Sequence, residues 1–576
     1  MRIIGLSRFL MLAMLLGCMS KVQPSESTDS FPMYEYTQEY VIASWNENDA
    51  TIITLYGSTA DIRGSGAVFA GRTLTIREAG TYLLSGMLEN GQVIIDAGKN
   101  DVVRLVLNGV SLHNETGPAI YAPKSKEVVL IIETGTQNTV SDGSGRAGSD
   151  EQNSAIYVQD DLSITGSGIL AVTGNYRHGI RVQDTLIVTG GVISVNSVGD
   201  AIRGRDGVII NGGFFTLEAG GDGIQSNNNS EAMGFIIITG GVFNIKAHND
   251  GIQAESVLTI TDGIFQIVSG GGSANAPIRV ESRGWGRQAP MPQTAEDSVS
   301  MKGIKAVGFI NIMGGNITID ARDDGVHSDG DIAISSGKLS VRTGDDGIHA
   351  NGAVTISGGE INIPVCYEGI EGLSVTISGG NIALISRDDA INAADGSSPV
   401  GRMGWGRAPL NNNVFVRISG GTVDLYASRD GIDANGNVFI DGGTIKISGP
   451  SQMMEGAIDF DGNLLVTGGE LITAGSVLSA SQNSTQPVLF VSYARQQPSG
   501  SAIAIKDSRG NTLLEYTSKT AYSYSGFTSP SFRTGETYSL FINNEKRVDI
   551  RLTGILTSIG DSGGAYSGGR GAPRRL

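Results

Sequence analysis

Cysteine is nearly absent from this sequence, whose 576 residues include two, Cys18 and Cys366. Two cysteines do not provide the disulfide framework of small secreted domains, and no Cys/His pattern of a structural zinc site is present. The sequence also lacks a nucleophile–base triad motif and a glycine-rich phosphate-binding loop. These absences exclude the commonest hydrolase, nucleotide-binding and zinc-binding signatures.

Positive charge is also scarce, with 41 Lys and Arg against 58 Asp and Glu and a net charge of −17. No basic stripe follows any part of the chain, which argues against nucleic acid as a partner. An acidic balance of this size is compatible with cation binding.

A helical pattern is missing as well, because the apolar residues alternate with period 2 rather than 3.6. Aromatic residues make up 6% of the chain, whereas there are 83 glycines. Many short strands joined by tight bends explain both numbers.

What the sequence does contain is a repeat. The phrase DDGVHSDG at 323–330 returns as DDGIHANG at 345–352, and a second phrase ending in Gly-Gly recurs between the copies. Regular copies of the first phrase lie 22 residues apart, as its aliphatic positions 304, 326, 348 and 370 show. The aliphatic residue of the first phrase recurs at Ile202, Ile224, Ile252, Ile304, Val326, Ile348, Ile370, Ile391 and Ile432.

A unit this short cannot bury its own apolar face, so it must stack on its neighbours. Strands that repeat in the same direction pair in parallel, about 4.8 Å apart. We therefore predict an all-β fold, a right-handed parallel β-helix of about 22 residues per coil, over residues 61–485. Ile120 and Ile156 look like early, degenerate copies. The alternative, a leucine-rich horseshoe, lacks its consensus here.

Both ends of the repeat region depart from the pattern. An open stack leaves its first coil bare, so we predict an N-terminal cap at 34–60 that includes Trp45. From 486 to 556 the period stops, and short alternating runs predict a small antiparallel β module. The Gly-rich tail at 557–576 is predicted to be disordered.

Two insertions, near 270–300 and 394–413, interrupt the coils and share the text GWGR. Loops on a rigid scaffold often carry function. Tryptophan offers an apolar face to sugars, and arginine pairs with carboxylates in a two-pronged hydrogen bond. Candidate substrate-binding residues are therefore Trp285, Arg287, Trp405 and Arg407. Alternatively, the two tryptophans pack on the coils or mark an interface.

An acid stands two residues before most of the aliphatic positions. Stacking would place like charges about 5 Å apart, at a cost of roughly 1 kcal/mol per pair in water. Such a column needs cations, or hydrogen bonds from the backbone amides of the turns. Asp-Gly is also an ordinary turn dipeptide. Ca²⁺ accepts hard oxygens in irregular geometry. The predicted calcium ligands are Asp323, Asp324, Asp345, Asp346, Glu368, Asp388, Asp389 and Asp430, and Lys302 interrupts their column.

The residue after each aliphatic position is predicted to point outward. This row reads Arg203, Gln225, Gln253, Lys305, His327, His349, Glu371, Asn392 and Asp433. Long polar side chains on a flat parallel sheet suit an extended polysaccharide, so His327, His349 and Glu371 are candidate substrate-binding residues. A solvated face is the alternative, and the two histidines could instead ligate a transition metal.

The first eighteen residues have the proportions of an export signal, with Arg2 and Arg8 before an apolar run at 9–16 that is too short to span a bilayer. The text LLGC at 15–18 resembles a bacterial lipobox, which would make Cys18 a lipidated residue. Residues 19–33 would then be a flexible tether. We expect an exported, membrane-anchored lipoprotein, with a plain signal peptide as the alternative.

The repeated phrases and the sequence at both ends of the repeat region resemble the clostridial-type carbohydrate-binding domain with a pectate-lyase-like β-helix. The matching text is GTYLLSGMLENGQVIID at 80–96, VRLVLNGVSL at 103–112, the DDGIHANG coils with ISGG turns, and SPSFRTGETYSLF at 529–541. The resemblance implies Ca²⁺ as cofactor, cellulose or acidic pectic sugars as partner, and binding without demonstrated cleavage.

The sequence is compatible with three functions. The favoured one is a surface-anchored protein that binds acidic or β-linked polysaccharide. A calcium-dependent polysaccharide lyase would need a basic residue near the metal, for which Lys302, Lys305, Arg322 and Arg387 are available. A structural or adhesive surface protein is the third.

Overall fold

The computed structural model describes residues 44–145, 152–277, 299–395, 410–451, 455–477 and 480–560. Contacts divide the chain into two units, Met1–Gln38 and Glu39–Leu576, and all described residues belong to the second. Apart from two single-turn 3₁₀ segments, Glu47–Asp49 and Ser273–Asn275, the regular structure in these ranges is β. None of the described residues forms a helix with the length and apolar character needed to cross a bilayer.

The strands before and within the first coils are β1 (Ala50–Gly57), β2 (Ala60–Arg63), β3 (Ala67–Ala70), β4 (Thr73–Ile76), β5 (Gly80–Leu88), β6 (Gln92–Asp96), β7 (Val102–Asn114), β8 (Ile120–Lys124), β9 (Glu127–Ile132), β10 (Gln137–Asp142), β11 (Ser154–Val158), β12 (Asp161–Gly166), β13 (Ile169–Gly174), β14 (His178–Val182), β15 (Thr185–Val188) and β16 (Val192–Ser197). The regular coils continue with β17 (Ile202–Gly204), β18 (Gly207–Ile210), β19 (Phe214–Ala219), β20 (Ile224–Ser226), β21 (Phe235–Ile238), β22 (Val242–Ala247), β23 (Ile252–Ala254), β24 (Val257–Ile260), β25 (Ile264–Ser269), β26 (Ile304–Ala306), β27 (Phe309–Ile312), β28 (Asn316–Ala321), β29 (Val326–Ser328), β30 (Ile332–Ile334), β31 (Lys338–Thr343), β32 (Ile348–Ile356), β33 (Glu360–Cys366), β34 (Ile370–Ile377) and β35 (Asn381–Ser386). The remaining strands are β36 (Ile391–Ala393), β37 (Phe415–Ala427), β38 (Ile432–Ala434), β39 (Asn437–Ser448), β40 (Ile458–Phe460), β41 (Leu464–Val466), β42 (Glu470–Ala474), β43 (Val488–Gln497), β44 (Ala502–Lys506), β45 (Thr512–Thr517), β46 (Tyr522–Thr528), β47 (Thr537–Ile542), β48 (Glu545–Arg551) and β49 (Leu556–Gly560).

Each regular coil contributes three strands, and each strand pairs in parallel with the corresponding strand of the next coil. Strand β26 pairs with β29, β27 with β30, and β28 with β31. The pairing is in register, so that Ile304 lies opposite Val326, and Val326 lies opposite Ile348. Successive turns therefore lie above one another, and the predicted parallel β-helix is confirmed.

Glycine makes the bend that the second repeated phrase encodes. Gly337 has φ +92°, a conformation that other residues rarely adopt. A Cβ atom built on Gly337 would also lie 2.8 Å from the carbonyl oxygen of Gly314 in the preceding coil. Positive φ and close backbone approach together explain why the phrase ends in glycine in coil after coil.

The core is a set of aliphatic columns inside the coils. One column holds the aliphatic residue of the first phrase and extends back to the degenerate copies Ile120 and Ile156, which pair in register. Its members from Ile156 to Ile458 are at most 1% exposed. Beside it, Phe215, Phe243 and Phe265 stack with ring centroids 4.7 and 4.6 Å apart.

The Ile348→Ala variant is expected to lower the free energy of unfolding by about 2–5 kcal/mol, since it leaves a cavity in a filled column. Urea denaturation followed by circular dichroism measures the loss. Ile264→Ala is the matched control, because Ile264 is 49% exposed on the outer surface of β25, and it should change stability by less than about 0.5 kcal/mol. Equal effects of the two variants would contradict the assignment of Ile348 to the core.

The ends of the coil stack carry different structure. At the start, β1 pairs in parallel with β5 and in antiparallel with β2. The Trp45 indole packs against a small cluster that includes Val129, and its Nε1 donates to Glu133 Oε2 at 2.7 Å. After the coils, β45, β44, β47 and β48 form a separate antiparallel sheet. Cys366 is fully buried in a coil, as expected for a packing residue.

Candidate functional site

One face of the β-helix brings together most of the residues singled out by the sequence. Its strands each place an aliphatic side chain in the core and the following residue on the outer side. We call these outer residues the outer row. In register from the first coil to the last it reads Tyr121, Tyr157, Arg181, Arg203, Gln225, Gln253, Lys305, His327, His349, Glu371, Asn392, Asp433 and Asp459.

Beside the outer row lies a column of carboxylates that accept hydrogen bonds from backbone amides. The backbone N–H of Asp222 donates to Oδ1 of Asp200 at 3.0 Å, and the N–H of Asp250 donates to Oδ1 of Asp222 at 3.0 Å. The N–H of Asp346 donates to Asp324 Oδ1 at 3.1 Å in the same way. One oxygen of Asp200, Asp222, Asp250 and Asp324 thus accepts a turn amide, and the other oxygen faces the outer row. We call this column the acid ladder.

The second oxygen of a ladder acid meets the outer-row residue three positions later. Asp324 Oδ2 lies 2.8 Å from His327 Nδ1, and Asp346 Oδ2 lies 3.2 Å from His349 Nδ1. In an earlier coil, Asp200 Oδ2 lies 3.4 Å from Arg203 Nη1. The sequence analysis missed this pairing, although the signal was present as an acid and a partner three residues apart in successive repeats.

Lys302 supplies an internal cation where the acid ladder is interrupted. Its Nζ lies 2.8 Å from Asp323 Oδ2 and 2.6 Å from Asp324 Oδ2. Burial alone would lower the pKa of Lys302, but the two carboxylates outweigh it and raise that pKa. Burial would likewise raise the pKa of Asp324, yet His327 and Lys302 lower it. Asp323 and Asp324, two predicted calcium ligands, therefore share the single positive charge of one ammonium group.

The two histidines are held by carboxylates. His327 is nearly buried, and its Nε2 lies 3.0 Å from Asp329 Oδ1 while its Nδ1 faces Asp324. His349 Nδ1 also lies 3.9 Å from Glu371 Oε2. Burial would lower the pKa of His349, but Asp346 and Asp324 together raise it to about 9. Both imidazoles thus act first as partners of the acid ladder.

The later coils contain a second group of closely spaced carboxylates. One ligand oxygen from each of Asp389, Asp430 and Asp433 lies within 4.8 Å of the others, and we call these three residues the aspartate cluster. Burial and the neighbouring Asp430 raise the pKa of Asp389 to about 9, while burial and Asp433 raise that of Asp430 to about 8. Among the described residues, neither Asp389 nor Asp430 forms a salt bridge.

The remaining predicted ligands flank these positions. Asp345 has an oxygen within 4.8 Å of those of Asp323 and Asp324. Burial and Asp346 raise the pKa of Glu368 to about 7, and its Oε2 accepts from Asn392 at 3.0 Å. Asp388 is paired with Arg429 at 3.1 Å. Trp285, Arg287, Trp405, Arg407 and the predicted lipidation site Cys18 lie outside the described residues.

Hard carboxylate oxygens at these spacings can hold a divalent cation. The aspartate cluster fits such an ion better than the group around Asp324, because Asp389 and Asp430 form no salt bridge among the described residues, whereas Lys302 contacts both Asp323 and Asp324. Buried like charges at this separation are unfavourable without a cation or protons. The geometry therefore provides one candidate metal position in the later coils, next to an outer row of polar side chains.

Comparisons with known proteins assign the chain to a family. A family model described as carbohydrate-binding domain-containing protein matches residues 70–347 and 345–486. A protein of the same description from Acetivibrio thermocellus is 34% identical over 130 residues, which are 22% of this chain and 46% of the relative. The chain thus spans about half the length of this curated relative.

Among solved structures, the polysaccharide lyase-like protein from C. thermocellum, studied as a gadolinium derivative, is 28% identical to this chain. The match covers 46% of this chain and 96% of that one, with a TM-score of 0.39. Because the two segments matched by the family model make up more than half of the sequence, this chain belongs to the family of carbohydrate-binding domain-containing proteins.

Proposed function

We propose that this protein binds acidic or β-linked polysaccharide along the outer row, on a β-helix that Ca²⁺ stabilises. The observation that carries the proposal is the in-register outer row, which presents hydrogen-bonding side chains from consecutive coils at about 4.8 Å intervals. An extended sugar polymer laid along the coils would meet a polar side chain at each step. Family membership supports a carbohydrate as the partner.

Ca²⁺ is proposed at the aspartate cluster. Its ligand set consists of carboxylate oxygens, and Ca²⁺ accepts six to eight hard oxygens in flexible geometry. Lys302 already compensates part of the charge of Asp323 and Asp324, so these coils need a metal less. A metal in the later coils would also present a positive charge to an acidic sugar on a face that is otherwise negative there.

The protein is further proposed to act at a membrane surface. The support is the sequence text at 15–18, in which Cys18 would be lipidated, followed by the tether at 19–33. Metabolic labelling with a lipid precursor, compared between wild type and Cys18→Ala, tests this attachment.

Glycan binding is tested with polygalacturonate and a soluble β-glucan, in CaCl₂ and in EDTA. In CaCl₂, wild type should bind, and Asp389→Asn with Asp430→Asn should weaken binding to polygalacturonate by about tenfold or more, that is, by about 1.4 kcal/mol. The matched control is Glu360→Gln with Glu470→Gln, which removes the same charge from another face and should leave affinity unchanged.

Three results would contradict the proposal. Absence of binding to every glycan would favour the structural or adhesive alternative. Release of unsaturated product from polygalacturonate would establish a lyase instead. Equal affinity of the aspartate variant and the control would show that calcium at the aspartate cluster does not contribute to glycan binding.

A further inference from the structure

We infer that the early coils of the outer row form a second, metal-independent subsite, in which Arg181, Arg203 and Lys305 bind the anionic groups of a charged polysaccharide directly. The ligand class is a sugar polymer bearing carboxylate or sulfate groups. This inference rests on the proposed function, because it divides the same outer row into two parts that hold a glycan by different means.

Charge is distributed unevenly along the outer row. From Arg181 to Lys305 its charged members are basic, and they are separated by Gln225 and Gln253. From Glu371 to Asp459 its charged members are acidic. An anionic polymer can therefore contact the early coils directly, whereas the late coils repel it unless a cation intervenes.

The ladder acids beneath the basic part compensate it only in part, since Asp200 Oδ2 lies 3.4 Å from Arg203 Nη1 and Asp250 Oδ2 lies 3.9 Å from Lys305 Nζ. Burial and Asp200 raise the pKa of Asp222 to about 8, and burial raises that of Asp250. Asp222 therefore carries less negative charge at neutral pH than an exposed aspartate would. Asp200 is the ladder acid that stays ionised, because His178 outweighs the effect of burial and lowers its pKa.

Contacts with neighbouring side chains hold Arg181 in place. Arg181 Nη1 donates to Asn153 Oδ1 at 2.5 Å, and its guanidinium carbon lies 5.8 Å from the ring centroid of Tyr157. Arg203 follows in register on the next coil, about 4.8 Å away along the stack. Burial and the neighbouring Arg203 lower the pKa of Arg181. An anion between the two guanidiniums would relieve this repulsion.

Arg177 adds a further positive charge at the same end. It is exposed, precedes the strand that carries Arg181, and accepts the Gly199 N–H through its carbonyl oxygen. Within the described part of the chain its side chain pairs with no carboxylate. Guanidinium groups bind carboxylate, phosphate and sulfate oxygens in a two-pronged geometry, so these coils suit an anionic sugar better than a neutral one.

The two subsites are far enough apart to act separately. Lys305, the basic residue of the early subsite nearest the late coils, is five coils from Asp433 of the aspartate cluster in the outer row, which corresponds to roughly 24 Å. A short oligosaccharide would occupy one subsite, and a polymer would reach both. Removing the metal should therefore abolish binding in the late coils and leave binding in the early coils.

The test measures the affinity of the full chain for polygalacturonate, dextran sulfate and a neutral β-glucan, in EDTA and in CaCl₂. In EDTA, wild type should still bind polygalacturonate, and Arg181→Gln with Arg203→Gln should weaken it by about tenfold or more. Neutral β-glucan binding should be unchanged. If this variant also binds dextran sulfate more weakly, the subsite accepts both carboxylate and sulfate groups. If only its affinity for polygalacturonate falls, the subsite is specific for carboxylate.

Two further variants keep the test decisive. Arg342→Gln with Lys446→Gln removes the same charge from another face and should bind like wild type. Arg181→Lys with Arg203→Lys keeps the charge but loses the two-pronged geometry, so it should show intermediate affinity if the glutamine variant does not fold. Unchanged affinity of both arginine variants in EDTA would overturn the inference while the proposed function stands. Failure of wild type to bind any glycan in CaCl₂ would instead overturn the proposed function.

Discussion

The Lys302→Met variant is expected to be about 3–5 kcal/mol less stable than wild type in calcium-free buffer, because it leaves a buried charge without its partner. The Lys302 ammonium lies within 2.8 Å of both Asp323 and Asp324. The side chains of Lys302 and Asp324 are 12% and 4% exposed, so water replaces the lost contact poorly. Chemical denaturation of the two proteins measures the difference.

Lys338→Met provides the control. Lys338 pairs with Glu360 at 3.0 Å on the surface, where both side chains are more than half exposed, and such pairs contribute at most about 1 kcal/mol. If Lys302→Met were no less stable than Lys338→Met, the internal ammonium would not be needed.

Calcium should partly rescue the Lys302→Met variant. Without the ammonium, the oxygens of Asp323, Asp324 and Asp345, which lie within 4.8 Å of one another, form an uncompensated acidic group. Millimolar CaCl₂ is therefore expected to raise the melting temperature of this variant more than that of wild type. An equal response of the two proteins would show that this group does not hold Ca²⁺ even when the lysine is removed.

The second large effect is a loss of stability with rising pH in the absence of metal. In EDTA, the melting temperature of wild type is expected to fall between pH 5 and pH 9, on the order of 5 °C or more. Burial raises the pKa of Asp389 to about 9, that of Asp430 to about 8 and that of Glu368 to about 7. In the unfolded chain these carboxyl groups titrate near pH 4.

The sign follows from proton counting. Between about pH 4 and pH 9 the folded state binds more protons than the unfolded state, so raising the pH favours unfolding. His349 acts in the same direction, because its folded pKa of about 9 exceeds the ordinary value of 6.5. Asp324 acts in the opposite direction, since its pKa is lowered, but its contribution is lost only at more acidic pH than this window.

Calcium should remove the part of this pH dependence that comes from Asp389 and Asp430, because it stabilises their ionised carboxylates. Asp389→Asn with Asp430→Asn should flatten the slope in EDTA and abolish the response to calcium, as measured by melting curves at pH 5, 7 and 9. Identical melting of wild type with EDTA and with CaCl₂ at pH 9 would contradict a metal at the aspartate cluster.

Much of the architecture could be predicted from the repeat alone. Positions one period apart in parallel strands must lie opposite one another, so the pairing of Val326 with Ile348 and the neighbouring positions of Asp324 and Asp346 followed from their spacing. The burial of the Ile column followed from the period-2 alternation for the same reason. Even the early copies Ile120 and Ile156 were recognisable from their text.

The site could be predicted only in outline. Spacing places Asp346 beside Asp324, but it does not specify that one oxygen of Asp324 accepts the Asp346 N–H and the other faces His327 and Lys302. Nor does it show that His327 is nearly buried between two aspartates. These details depend on side-chain rotamers and on turn geometry, which the repeat does not encode.

The sequence by itself therefore determined the parallel β-helix, the columns within it and the set of acids and polar residues on one face, because a fixed period in stacked coils dictates which residues are neighbours. Only the tertiary structure decided which carboxylates form an ion pair with a basic side chain and which do not. That outcome depends on the distances between charged atoms and on their burial, which place an ammonium beside Asp324 and bring Asp389, Asp430 and Asp433 together without a basic partner for Asp389 or Asp430 among the described residues.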